Sequence, residues 1–492
     1  MRRPVLALTA ACGALLAAAL PSAALADTLR EALAMAYRTN PQLHAARANQ
    51  RVIDENVVIE RAAGRPQASA SAQYTEFVKQ SNSEGIGPDR GLGVGLDLSL
   101  PLFTGGAVRN GILAAETRVE AGRADLRGAE SALFTQVVAA YMDVIRGEAL
   151  VGLAANQVDV LSVNAQATGD RFEIGDLTRT DVAQSEARLA VAQGDLRSAE
   201  ANLVAARERY IALVGKAPDN LQPPPPLPNM PADVQTAVGI ALENNPDLIA
   251  ARQRARAAGY DIDIAGAGRM PRVSVFTGGS YNNYFGSLGN DSTVGLPQSA
   301  TAAQAGVRVS MPILQGGRVG AQERQAQARA QGALEQEIAL ERDVIAEVRS
   351  AWSSWQASLA IVESSQTAVS AAALGLEGVR AENTVGNRTI LEILNQEQEL
   401  VNTRVQLITA RRNAYVAGFA LLAAMGRAEA RDLGLGDDGP LYDPVINYDR
   451  VQGKWWDWER DPDPVAQSTR TIDITAPDAE IPPESGTGRG VY

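Results

Sequence analysis

Leu92, Val94, Leu96, Leu98 and Leu100 alternate with Gly93, Gly95, Asp97 and Ser99. A period of two predicts a strand with one apolar and one polar face. Ala305, Val307, Val309 and Met311 alternate in the same way with Gln304, Gly306, Arg308 and Ser310. Ala68, Ala70, Ala72 and Tyr74 alternate with Ser69, Ser71, Gln73 and Thr75, and Val273 to Phe285 is strand-like but less regular, ending in Tyr281, Tyr284 and Phe285. Elsewhere the period is seven. Val182, Leu189, Leu196, Leu203 and Tyr210 form one seam, and Ile393, Leu400, Leu407, Ala414 and Leu421 another, doubled by Leu394, Val401, Ile408, Tyr415 and Leu422. Sustained sevens predict helices packed side by side as in a coiled coil. Strands with a small polar face, and aromatics near their ends, fit the wall of a membrane barrel. Periodicity alone equally allows an ordinary hairpin on a soluble domain.

The pattern occurs twice. Ala32 to Arg47 (ALAMAYRTNPQLHAAR) matches Ala237 to Arg252 (AVGIALENNPDLIAAR), and Pro66 matches Pro271 in the same register. Pro101, Gly105 and Gly106 match Pro312, Gly316 and Gly317 six residues out of that register, as do Gly175 with Gly386 and Gly215 with Gly426. This predicts an internal duplication: a first repeat over 27–222, a Pro-rich linker over 223–231, a second repeat over 232–427, and a tail over 428–492 that is partly disordered. The stretch from Gly106 to Gly175 would span about 100 Å as one helix. Asp27 to Gly64 and Leu177 to Val214 would stack end to end beside it, and the second half repeats the arrangement. Four strands per chain cannot close a lipid-facing barrel, so protomers must pool them.

Composition narrows the function. The chain has 492 residues, 46% hydrophobic but only 5% aromatic, as suits long, closely packed helices. A single His (His44) and a single Cys (Cys12) argue against a metal site, a His-based triad and a disulfide framework. His44 reads as a surface helix residue, and Trp352 and Trp355 as packing anchors. The glycine pairs lack the Gly-Lys-Thr/Ser of a phosphate loop. No enzyme, cofactor or metal is expected, and the net charge of −12 makes nucleic acid a poor partner. Residues 1–26 read as a secretory signal peptide: Arg2 and Arg3, an apolar run from Val5 to Leu20, then Ala24-Leu25-Ala26 before Asp27. Cys12 is filler within it. No later segment has the ~18 uninterrupted apolar residues of a membrane helix. The residues alone leave two readings open, a channel or a non-pore periplasmic helical scaffold.

The signal peptide, the duplicated halves, N-P-x-L near the start of each, P-x-[FL]-x-G-G after each second strand and the V/I-G turns together resemble the TolC family of outer-membrane efflux and secretion channels. The resemblance covers about Asp27 to Arg427. It implies an α+β membrane protein, a homotrimer whose twelve pooled strands form a β-barrel in the outer membrane, continued by a long α-helical coiled-coil tunnel across the periplasm. It implies a passive exit duct of a tripartite efflux pump or type I secretion system. The partners would be outer-membrane lipid, a periplasmic adaptor and an inner-membrane transporter of the RND, ABC or MFS type. The tail, with its Trp455-Trp456-Asp457-Trp458 cluster, would pack on the equatorial belt around the tunnel.

The resemblance also assigns residues. In the family an Arg at the position of Arg388 binds a Thr-Asp pair, here Thr180 and Asp181, and holds the periplasmic end closed. The second tether, often Tyr, is here Asn383. The two acidic rings of the pore become Glu392 and Asn395. The turns at Gly175 and Gly386 are the expected adaptor contacts.

Overall fold

A computed structural model describes residues 27–79, 87–289 and 295–481. The predicted signal peptide, with Cys12, and the end of the tail from 482 lie outside the described residues. The chain runs through α1 (Leu29–Thr39), α2 (Pro41–Ala62), β1 (Gln67–Glu76), β2 (Arg90–Phe103), α3 (Ala107–Glu173) and α4 (Arg179–Val214). The same order then returns: α5 (Val234–Asn244), α6 (Pro246–Gly266), β3 (Arg272–Asn283), β4 (Ser299–Ser310), α7 (Arg318–Thr384) and α8 (Ile390–Ala424), followed by α9 (Pro444–Gln452) in the tail.

The stretches 27–64 and 234–266 are not single helices as expected. Each breaks at the Asn of N-P-x-L, because the residue before proline is pushed out of the helical region. The break is put to use. Asn40 Oδ1 accepts from the backbone N–H of Gln42 (2.9 Å) and Leu43 (3.3 Å), capping α2, while its Nδ2 donates to the Leu213 carbonyl (3.0 Å) in the last turn of α4. Asn245 repeats this, accepting from Asp247 and Leu248 and donating to the Ala424 carbonyl at the end of α8 (3.0 Å). One buried side chain thus satisfies the start of one helix and the end of another. Asn245→Ala removes the cap and leaves a buried carbonyl unpaired. We expect a loss of about 2 kcal/mol, read as a lower denaturation midpoint at unchanged slope.

Two 67-residue helices, α3 and α7, form the rods of the molecule. Against α3 lie α2 near the strands and α4 near the far tip, and α8 pairs with α7. Helix α6 packs on both rods. By length and composition α7 is apolar enough to cross a membrane, yet the whole helix is one rod packed along α6 and α8. The main core gathers at mid-rod, where Phe134, Val137, Val138 and Tyr141 of α3 meet Leu203 and Tyr210 of α4 and Phe419, Leu421 and Leu422 of α8. Trp352 and Trp355 pack on it, their rings 5.5 Å apart. The Pro-rich segment 223–231 is pinned to the same core: Tyr141 Oη donates to the Gln222 carbonyl (2.6 Å), and Tyr415 Oη to that of Pro225 (3.1 Å).

The four strands form one antiparallel sheet in the order β1-β2-β3-β4. Gln67 pairs with Ser99, Leu98 with Thr277 and Arg272 with Ser310. All four strand–helix junctions therefore fall at one end of the sheet. Most residues of β1 and β4 are exposed on both faces, and Val94, Leu96, Leu98, Val307 and Val309 stand open. β1 and β4 are the sheet's two edges.

Part of the tail joins the mid-rod core, where Ala428, Ala430 and Leu435 are buried. Residues 428–481 are held in place, by Asn447 on Asp54 (2.7 Å), Arg61 on the Gln452 carbonyl (3.2 Å) and Arg207 on the Asp478 carbonyl (2.7 Å). The Trp cluster is not on the mid-rod core. It follows Lys454, whose carbonyl accepts from Arg65 just before β1.

Candidate functional site

Far from the sheet, each rod turns back on itself. After α3 the chain turns at Gly175 (φ +83°), with the N–H of Gly175 bonded to the Phe172 carbonyl and that of Asp176 to Arg171. After α7 the turn at Gly386 (φ +81°) has the same two bonds, to Asn383 and Glu382. Each following helix starts with a capping box. Thr178 Oγ1 accepts from the Asp181 N–H while the Asp181 carboxylate accepts from the Thr178 N–H (2.9 Å) and hydroxyl (2.6 Å). Thr389 and Glu392 do the same for α8. Asp181 and Glu392 are thus structurally equivalent residues, both serving as caps. Ile174 and Val385, also equivalent, are exposed at the two turns.

The tips differ in their ion pairs. Arg171 binds Asp176 in the first. In the second, Arg388 bridges Glu382 of α7 (Nε–Oε2 2.6 Å) and Glu392 of α8 (Nη1–Oε1 2.7 Å). Asn383 Nδ2 donates to the Arg388 carbonyl (2.7 Å), locking the same turn. Within one protomer, then, the structure brings Arg388, Asn383 and Glu392 together and does not bring Asp181 to them. Thr180 is exposed in the first turn of α4. The Thr389 backbone N–H, then Arg388 and the Thr389 hydroxyl, pull the Glu392 carboxyl down to about 2. Hydrogen bonds from Thr178 lower that of Asp181, and its two carboxylate partners raise the Arg388 guanidinium.

The contacts between the hairpins nearest the tips lie about two to five turns from Gly175 and Gly386. Arg188 of α4 donates to Asn395 Oδ1 of α8 (3.0 Å). Leu161, Ala192 and Leu394 form a small apolar cluster there. Beside it Glu397, its side chain only 4% exposed, accepts from Arg380 (2.8 Å) and from Asn164 across the hairpins (3.3 and 3.2 Å). Sequence reasoning missed Glu397. Its signal was an acid between Leu394 and Leu400 on the buried seam, where a carboxylate needs partners. Among the described residues no group of three or more His, Cys, Asp or Glu is placed to hold a metal.

Comparison with known proteins fits this geometry. The family described as "Outer membrane efflux protein" matches the chain twice, over residues 32–216 and 237–427. The chain is 35% identical to the outer membrane efflux protein BepC of Brucella suis biovar 1 (strain 1330) over 436 residues, covering 88% of this chain and 92% of BepC. It is 26% identical to the outer membrane protein TolC of Escherichia coli (strain K12) over 422 residues, 83% of this chain and 84% of TolC. The crystal structure of the outer membrane protein VceC from Vibrio cholerae has the same fold, with a TM-score of 0.69 at 24% identity over 81% of this chain and 96% of that one. The chain therefore belongs to the outer membrane efflux proteins, the TolC family of channel proteins that serve efflux pumps and type I secretion, and its place is the outer membrane with its helices reaching into the periplasm.

Proposed function

We propose that three copies of this chain pool their sheets into a twelve-stranded barrel in the outer membrane and their rods into a periplasmic tunnel, forming a passive duct. The observation that carries this reading is the open sheet. Among the described residues neither face is covered and both edges, β1 and β4, lack a partner, while two rods of about 100 Å leave from one end. Edge-to-edge closure would pair β1 of one copy with β4 of the next, with the apolar side chains of β2 and β4 facing lipid. The halves 27–222 and 232–427, joined by 223–231, would be two equivalent staves.

In this reading the tips close the periplasmic end. Arg388 would exchange its bonds to Glu382 and Glu392 for the Thr180–Asp181 pair across neighbouring hairpins. The exposed Ile174 and Val385 beside Gly175 and Gly386 would meet the adaptor that links the duct to an RND, ABC or MFS transporter. Glu382, Arg388 and Glu392 together carry one net negative charge per copy, with Asn395 adding only a polar group. A symmetric ring of three such clusters favours cations.

The test is reconstitution. The protein should sediment as a trimer in mild detergent and form cation-preferring channels in planar bilayers. Because Glu392 is held ionised down to about pH 2, the preference should persist at pH 4, above the window in which its carboxyl protonates. Glu392→Gln should weaken it at both pH values. A monomer, or an anion-selective pore, would overturn the reading.

A further inference from the structure

The tail climbs α2 and comes back. Asn447 reaches Asp54, Arg61 holds the Gln452 carbonyl and Arg65 holds that of Lys454, three contacts in ascending order along α2 and into the turn after it. The last lies two residues before β1 begins at Gln67. The chain then reverses, and Asp461 closes the loop by accepting from Arg450 (2.9 Å) and Lys454 (3.0 Å). By Asp478 it is back against Arg207 of α4. At the apex stand Trp455, Trp456 and Trp458, 62%, 65% and 86% exposed. A chain that spends two cations to close a loop, and loads its apex with three uncovered indoles, is presenting them to something.

The level of the apex identifies the occupant. It is the end of the sheet where all four strands meet helices. Leu102 and Phe103 at the end of β2, and Met311, Ile313 and Leu314 after β4, are exposed at that same end. Indole, an apolar body with one N–H donor, partitions to the headgroup layer of a bilayer. Charge decides between surfaces. Residues 450–463 hold three cations, Arg450, Lys454 and Arg460, against Asp457, Glu459, Asp461 and Asp463, so the loop is net negative and gains nothing from an anionic surface. We propose that Trp455, Trp456 and Trp458 seat in the headgroup layer of zwitterionic phospholipid on the periplasmic side of the outer membrane, anchoring each protomer and fixing the depth of the sheet. This rests on the reading that the sheet lies in the membrane.

The chain has five tryptophans, so Trp352→Phe with Trp355→Phe leaves only the three at the apex. In phosphatidylcholine nanodiscs this full-length variant should show blue-shifted emission. Quenching should be stronger by a nitroxide near the headgroup than by one deep in the acyl chain, and insensitive to added salt. In the parent background, replacing the three apical tryptophans by Ser should abolish headgroup quenching while the emission of Trp352 and Trp355 remains. A further variant lacking all five and carrying Leu96→Trp reports on the sheet. If that reporter is quenched from within the bilayer and the apical tryptophans are not, the anchor is wrong and the barrel stands. If neither is quenched, both fall.

Discussion

Gly426→Ala is expected to cost about 2–5 kcal/mol, summing a left-handed backbone at an L-residue and an overpacked contact. Gly426 follows α8 at φ +70°, and its N–H and that of Arg427 tie back to Ala423 and Leu422. A Cβ there would stand 2.3 Å from the Asn244 carbonyl oxygen and 2.9 Å from the Asn245 nitrogen. Both are backbone atoms of the α5–α6 junction, which Asn245 has already tied to α8, so neither side can give way. The yield of the proposed trimer in the outer membrane should collapse. Gly386 provides the contrast, since it has a similar φ, but a Cβ added there would meet nothing within 4 Å. Gly386→Ala should cost only the backbone strain, about 1–2 kcal/mol, and should assemble. Equal losses at the two sites would refute the contact argument.

At the tips the expected effect is on conduction. Arg388→Ser should raise single-channel conductance several-fold while leaving the trimer intact. Exposed ion pairs are individually weak, but in the proposed trimer three symmetric copies would bias one opening equilibrium. The protomer geometry makes the partner testable. If Arg388 leaves its own turn to bind Asp181 across the interface, Asp181→Ala should copy Arg388→Ser and the double variant should add little. Glu382→Gln, which frees Arg388, should then tighten the closed state. The opposite pattern, with Glu382→Gln opening the channel and Asp181→Ala silent, would make Arg388 a staple of the α7–α8 turn alone.

Much of this was legible because the patterns are long and occur twice. Helices α4 and α8 follow from periods of seven and the strands from periods of two, while the rods α3 and α7 follow from the spans between the glycine pairs and the turns at Gly175 and Gly386. N-P-x-L was visible as a motif but read as part of one helix, since its role depends on the carbonyls of Leu213 and Ala424, far along the chain. The path of the tail was illegible for the same reason. It has no period, and its position rests on Arg61, Arg65 and Arg207, side chains hundreds of residues away. For Arg388 the resemblance pointed to a distant Asp, while the nearer Glu382 went unnoticed and Glu392 was read only as a pore ring. Local acids on a helix–turn–helix are easily passed over, although they reach an arginine without any other part of the fold.

The equal length of α3 and α7 makes each a ruler for the other. Removing seven residues, about two turns, from α3 alone would keep its faces nearly aligned but draw its tip back by about 10 Å, leaving Gly175 well short of Gly386. Insertions and deletions can therefore survive in the rods only in matched pairs, and unpaired changes of length are pushed to segments that set no height. The six extra residues between Pro271 and Pro312, relative to Pro66 and Pro101, lie in such a segment, the hairpin of β3 and β4.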